Sequence, residues 1–332
     1  MIVRVLGSAA GGGVPQWNCN CANCAAARRG DAPRRSQSSF AISADGDAWW
    51  LVNVSPDVAA QIEAFPPLQP RERRGTPIAG MLLTDANVDH LGGLAVVRQA
   101  QPRGFEIYSS EIVRTIAAAQ PAFAAFARPP HRWHTVLTEP FSLDGGALRV
   151  TPLPVPGLTP GFAGRDQARG AVLAFRVESP AGEGSILFAP VFAAIDPELA
   201  AAIDAADVVM LDGSFCSDDE MRDAGLGDKT ARGLGHLPLE GESGSLAAIA
   251  GRRNRRIYVH LNNSNPVLDP ASPQARAVRA AGVEVAFDGM DISLSRGPIA
   301  PEPGQAGPRD AEDPAASLVR FGASGGRRSP AQ

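Results

Sequence analysis

Apolar residues along the chain gather into short, nearly unbroken runs, the pattern of strands buried on both faces. The first, Ile2-Val3-Arg4-Val5-Leu6, leads into a glycine turn over 7–13. Two more, 40–43 and 49–54, are joined by Asp45-Gly46, a hairpin signal. Ser55-Pro56-Asp57 then opens a helix toward Phe65. Residues 78–83 predict a buried strand, 94–99 the start of a helix, and 110–127 an alanine-rich helix. A second series follows, with strands at 141–143, 148–153, 171–178 and 185–189. After these, helices near 197–205, 239–250 and 273–281 alternate with strands at 208–211, 257–260 and 283–287. Hairpins come first and helix-linked strands later, twice over. That order predicts an α/β sandwich: two mixed sheets packed face to face with helices outside. Residues 28–39 read as a flexible polar stretch. After residue 295 glycine, proline, alanine and charge take over, so 1–295 form one domain and 296–332 a disordered tail.

Composition narrows the function classes. With a net charge of −4, the chain has no electrostatic footing for nucleic acid or an anionic membrane. No apolar run reaches the ~18 residues of a membrane span. The N-terminus has neither the basic start nor the long apolar core of a signal peptide, which predicts a cytoplasmic protein. The oligomeric state stays open, a homo-oligomer included.

Three of the four cysteines sit together as Cys19-Asn20-Cys21-Ala22-Asn23-Cys24. Thiolates at this spacing converge on a tetrahedral soft cation, so a loop at 18–25 holding structural Zn2+ is expected, its fourth ligand open. Cys216 stands alone and reads as a small buried hydrophobe.

Histidines are scarce: His90, His131, His134, His236 and His260. A strand ending in Thr-His-X-His-X-Asp-His-X-X-Gly is the metal signature of metallo-β-lactamase-fold hydrolases. Here Thr84, Asp89, His90 and Gly93 keep the frame, while Asp85 and Asn87 replace the two leading histidines. Gly7 to Gly13, Pro15-Gln16-Trp17-Asn18-Cys19-Asn20-Cys21, Ser55-Pro56-Asp57, Thr84-Asp85, His260-Leu261-Asn262-Asn263 and Phe287-Asp288-Gly289-Met290 complete a set of motifs. On these residues the chain, over about 1–294, resembles the B proteins of pyrroloquinoline quinone (PQQ) biosynthesis, a branch of the metallo-β-lactamase fold. Leu158 stands in a loop that would normally carry a metal-binding histidine. Pro190-Val191 stands where a strand should end near a bridging aspartate. Two further ligands are thus missing, which argues against a two-zinc hydrolase.

Asp89, His90 and His260 remain, the composition of a facial triad for Fe2+. The resemblance implies an iron-dependent oxygenase that uses dioxygen to hydroxylate the tyrosine ring of a Glu–Tyr precursor cut from a small peptide. Asp85 is read as a further ligand or as the partner that orients His90. Asp212 ends a strand near the expected cleft, and His236 sits where related phosphodiesterases place an acid/base histidine. Structural readings stand beside these: Asp89-His90 as a helix start with a buried histidine, and His260 as a core histidine. Asn262 and Asn263 either serve the cysteines or shape a turn; His131 and His134 carry no metal spacing. Two other functions stay open, a non-catalytic carrier moving PQQ or its precursor toward the periplasm and a residual phosphodiesterase.

Overall fold

The computed structural model describes residues 1–98, 103–292 and 294. The first half supplies β1 (Ile2–Gly7), β2 (Ser39–Ser43), β3 (Trp49–Val52), β4 (Ile78–Leu82), β5 (Glu106–Ser109) and β6 (Arg132–Thr135). The second supplies β7 (Phe141–Leu143), β8 (Leu148–Val155), β9 (Val172–Glu178), β10 (Ser185–Ala189), β11 (Val208–Asp212), β12 (Arg255–Val259) and β13 (Val283–Val285). The last strand, β14 (Asp291–Ile292), returns to the first sheet, whose order is β14-β1-β2-β3-β4-β5-β6; the second runs β13-β12-β11-β10-β9-β8-β7. In each sheet antiparallel strands give way to parallel ones, at β3 and β4 in the first and at β10 and β11 in the second.

The unbroken apolar runs are explained by what lies on each face. Trp50 and Val52 of β3, with Val208 and Met210 of β11, point into the layer between the sheets. Their neighbours Trp49 and Leu51 pack outward under helices, as do Val209 and Leu211 on the other side. Each such side chain, wholly removed from water, contributes roughly 1.5–3 kcal/mol. Eight helices cover the outer faces among the described residues: α1 (Ala22–Arg29), α2 (Val58–Ala64), α3 (Val88–Leu91), α4 (Glu111–Ala118), α5 (Pro197–Ala205), α6 (Glu220–Asp223), α7 (Ser245–Ile249) and α8 (Pro273–Ala280). Local chemistry starts three of them. Ser110, Asp196 and Ser272 each accept the backbone N–H three residues on, with proline in the first turn of α5 and α8.

Several expectations are corrected. The helix expected over 110–127 is two pieces, α4 and a tight turn at Ala124–Ala127, because Gln120 precedes Pro121 and is pushed out of the helical region. The helix expected over 239–250 begins only at Ser245, since Gly241 is left-handed. Residues 94–98 form the end of a 3-10 helix and a turn rather than a new helix; residue 99 lies outside the described residues. The polar stretch 28–39 is anchored rather than free: Ser38 and Ser39 are wholly buried, and Arg35 and Val14 exchange backbone hydrogen bonds at 2.8 Å. Its first residues belong to α1, a helix hidden by its cysteines. Strands β5 and β6 escaped notice because Glu106, Arg132 and His134 give them an edge strand's polarity. The expected tail, 296–332, lies outside the described residues.

No helix among the described residues is long and apolar enough to cross a membrane.

Candidate metal centres

Loops at the ends of β3, β4, β11 and β12 meet where the two sheets open. Two main clusters of side chains that could hold a metal lie there, and a six-residue segment, 260–265, belongs to both.

The first cluster is Cys19, Cys21 and Cys24, with sulfurs within 4.8 Å of one another. Asn263 aims its Nδ2 at all three, 3.1 Å from Cys19 Sγ, 3.5 Å from Cys21 Sγ and 3.4 Å from Cys24 Sγ. The loop is locked from behind: Asn23 Nδ2 donates to the carbonyls of Asn263 and Asn265 at 3.0 and 2.9 Å. Burial opposes ionisation of Cys21, but hydrogen bonds from the Cys24 amide and the neighbouring Cys19 and Asn263 lower it. Burial and the other two sulfurs push Cys24 up to about 11. Three thiolates are thus mutually disfavoured unless a cation joins them.

The second cluster is built on the surviving signature. Gly93 lets the segment after α3 lie on the end of β3, since a Cβ there would meet the Ser55 carbonyl at 2.2 Å. Gly93 N–H donates to Val54 O at 2.8 Å, and Val54 N–H donates to His90 O at 2.7 Å. Asn53, left-handed at φ 61°, turns its Oδ1 to accept the Thr84 amide at 2.9 Å. His90 is fully buried, and its Nδ1 lies 2.5 Å from Asp85 Oδ2. Asp85's other oxygen accepts from Asn87, through N–H at 2.9 Å and Nδ2 at 2.8 Å. Asp85 therefore orients His90, and Asn87 holds Asp85.

His260 follows β12 with φ 57°, a left-handed conformation that is costly for a histidine and frequent at functional sites. Its Nδ1 lies 2.7 Å from Ser214 Oγ, and that hydroxyl donates to Asp212 Oδ1 at 2.6 Å. Its Nε2 faces Asp89 Oδ2 at 3.1 Å; His90 Nε2 lies 3.8 Å from the same oxygen. His90 Nε2 is buried without a hydrogen-bond partner. Two imidazole nitrogens thus converge on one carboxylate oxygen, each ring held by its far nitrogen.

Electrostatics follow from this packing. Burial opposes charge on His90, but Asp85 and Asp89 overcome it and raise the imidazole to about 9. Burial likewise opposes ionisation of Asp85, Asp89 and Asp212, and the histidines beside them hold all three carboxyls below the usual range.

Asp212 Oδ2 holds His236 Nδ1 at 2.7 Å, and the His236 ring stacks at 5.4 Å on that of His260. Asp212, His236 and His260 form a third ligand-bearing group within 4.8 Å. Its Nδ1 atoms, however, are already taken by Asp212 and Ser214. A cavity of about 240 Å³ opens over Asp89, His236 and His260, walled by Leu158, Val191 and Phe215.

The remaining residues fall elsewhere. Cys216 is buried, with burial and acidic neighbours pushing its thiol up. His134 Nε2 meets Glu106 at 2.6 Å on the edge of the first sheet, and His131 stacks on Phe105. Ser214, Asn53 and Arg165 were missed. Each is a single polar residue in a loop, and only the Asp212-Gly213-Ser214 strand end gave any signal.

The β-lactamase superfamily domain model matches residues 48–261. Coenzyme PQQ synthesis protein B of Azotobacter vinelandii is 42% identical, covering 89% of this chain and 100% of its own length. The protein of the same name from Methylococcus capsulatus is 40% identical with the same coverage. The crystal structure of Zn2+-bound PqqB from Methylobacterium extorquens matches with a TM-score of 0.83 at 39% identity, over 89% of this chain and 100% of that one. A diphosphatase of the PhnP family, 21% identical over 88% of this chain and 96% of its own, shares the fold with a TM-score of 0.63. The chain has the metallo-β-lactamase fold and belongs to the coenzyme PQQ synthesis protein B family.

Proposed function

We propose that the chain acts in PQQ biosynthesis as an iron-dependent oxygenase, hydroxylating the tyrosine ring of a Glu–Tyr precursor. The observation that carries this reading is the orphaned, fully buried His90 Nε2 aimed with His260 Nε2 at Asp89. Ligands about 2.1 Å from one ion and at right angles to each other lie about 3 Å apart. The 3.1 Å between His260 Nε2 and Asp89 matches that spacing, and the 3.8 Å to His90 Nε2 is somewhat wider. Two neutral nitrogens and one carboxylate suit Fe2+ and leave positions open. Fe2+ held there supplies the activation of dioxygen. Leu158 and Val191 offer no donor for a second ion, which supports oxygen chemistry over two-metal hydrolysis.

The chain's own residues do the rest. Asp85 accepts the Nδ1 proton of His90 and Ser214 that of His260, fixing both tautomers with Nε2 free. Asp212 holds His236 by Nδ1, and among the described residues Nε2 has no hydrogen-bond partner, so this cavity-lining histidine is placed to take the phenol proton. Leu158, Val191 and Phe215 offer the ring an apolar surface. One oxygen atom enters the ring, and the other becomes water with two electrons from a reductant.

We assign Zn2+ to Cys19, Cys21 and Cys24 as a staple. A half-turn of the Asn263 carboxamide presents its oxygen at the same point and completes four ligands. The PqqB neighbour from Methylobacterium extorquens is Zn2+-bound, which supports a zinc site in this family.

The test is anaerobic loading with Fe2+, then addition of dioxygen, a reductant and Glu–Tyr peptide. A product heavier by one oxygen atom on the ring is expected. No oxygen uptake by loaded protein contradicts the reading, and tight PQQ binding by metal-free protein favours a carrier instead.

A further inference from the structure

The loop that lost its metal-binding histidine has a shape of its own. Thr159 and Asp166 close it by reciprocal hydrogen bonds: Thr159 N–H donates to Asp166 O at 2.9 Å, and Asp166 N–H to Thr159 Oγ1 at 2.8 Å. Inside that closure Arg165 takes a left-handed backbone, φ 56°, rarely adopted by a residue with a long side chain. Its Nη1 donates at 2.8 Å to the carbonyl of Gly233, in the turn that leads to His236. Its Nη2 lies over Gly161, where an added Cβ would stand 3.0 Å away. The guanidinium is thereby stretched across the cavity mouth. Among the described residues no carboxylate pairs with it, and it is the one permanent cation in the cavity lining. Below it, Leu158 and Val191 stand where hydrolases of this fold place ligands, and Phe215 joins them.

We propose that the cavity is bipartite. Leu158, Val191 and Phe215 receive the aromatic ring beside Asp89 and His260, while Arg165 holds the free α-carboxylate of the same tyrosine at the mouth. This assignment rests on the reading of the substrate as a tyrosine-ended peptide. A planar guanidinium pairs with a carboxylate through two parallel N–H bonds. The two missing ligands thus become the wall that selects the ring, and Arg165 the group that selects a free acid over a blocked one.

Binding is measured without turnover, by calorimetry under nitrogen on full-length protein loaded with Zn2+, using Glu–Tyr and its C-terminal amide. The acid should bind the wild type roughly 10- to 100-fold more tightly than the amide, the size of a charge-assisted pair. Arg165→Ala should weaken the acid by that factor and leave the amide unchanged, which shows the cavity intact. Arg165→Lys should recover part of the preference. Equal binding of acid and amide by the wild type, or an undiminished preference in Arg165→Ala, overturns the anchor while leaving the substrate reading in place. Failure of both peptides to bind overturns the substrate reading, and the anchor with it.

Discussion

The cysteine corner and the cavity cluster are held by the same six residues, 260–265, yet they are built oppositely. At the corner every sulfur has Asn263 against it, the loop is gripped by Asn23, and the donors face one another. At the cavity the rings are gripped from behind, by Asp85 and Ser214, and Asp89 and His260 border open volume with the buried His90 Nε2 behind them. Closure suits a staple, and an open face suits chemistry. One strand end can serve both because His260 and Asn263 leave the chain in different directions, with Leu261 pinned between them. Its N–H donates to Ser8 O at 3.0 Å, and its carbonyl accepts from Ala10 N–H at 2.9 Å.

The contrast predicts unlike consequences for damage to each side. Cys21→Ser should cost the most stability, about 3 kcal/mol or more if the corner holds Zn2+ as a staple, read by urea unfolding with and without a chelator. An unchanged midpoint would remove the staple. On the cavity side, Asp85→Asn should lower metal affinity and hydroxylation about 10- to 100-fold, because the His90 ring loses the acceptor that fixes its tautomer. Ser214→Ala should act in the same direction on His260 at about tenfold, near the lower end of that range, since Asp89 still faces that ring.

A pH effect on stability tests the ground between the two sites. Glu220 lies under the shared segment, accepting from Ser264 Oγ at 2.5 Å and from Cys216 N–H at 2.6 Å. Burial raises its carboxyl from the ordinary 4.5 to about 7. Between those values the folded chain keeps a proton that the unfolded chain releases. Its contribution is therefore full below pH 4.5 and lost as pH rises through 7. Glu220→Gln should flatten that fall, a difference of about 2 kcal/mol between pH 5 and pH 8 in urea unfolding. A parallel pH profile for both proteins would contradict it.

How much of this was legible in the sequence depended on the kind of signal. Strands such as 208–211 were plain, because burial on both faces leaves a run of apolar residues with no alternation. The frame of Thr84, Asp89, His90 and Gly93 was equally plain, since the close pass of Gly93 over Val54 tolerates no side chain. Helix α1 and the edge strand β6 were hidden, one by its cysteines and asparagine, the other by its charges. Ser214 and Asn53 carry no spacing signal: each acts through hydrogen bonds across the fold, made only once distant loops meet. The sequence leaves Asn263 either serving the cysteines or shaping a turn, and its contact with all three sulfurs ties it to the corner.

The direct test of two separate centres is metal content after purification without added metal, in the wild type and in His90→Ala. The variant should keep the thiolate-bound zinc and lose the capacity to take up Fe2+, one ion fewer per chain than the reconstituted wild type. Fe2+ uptake unchanged in His90→Ala, or zinc lost together with it, would contradict the account.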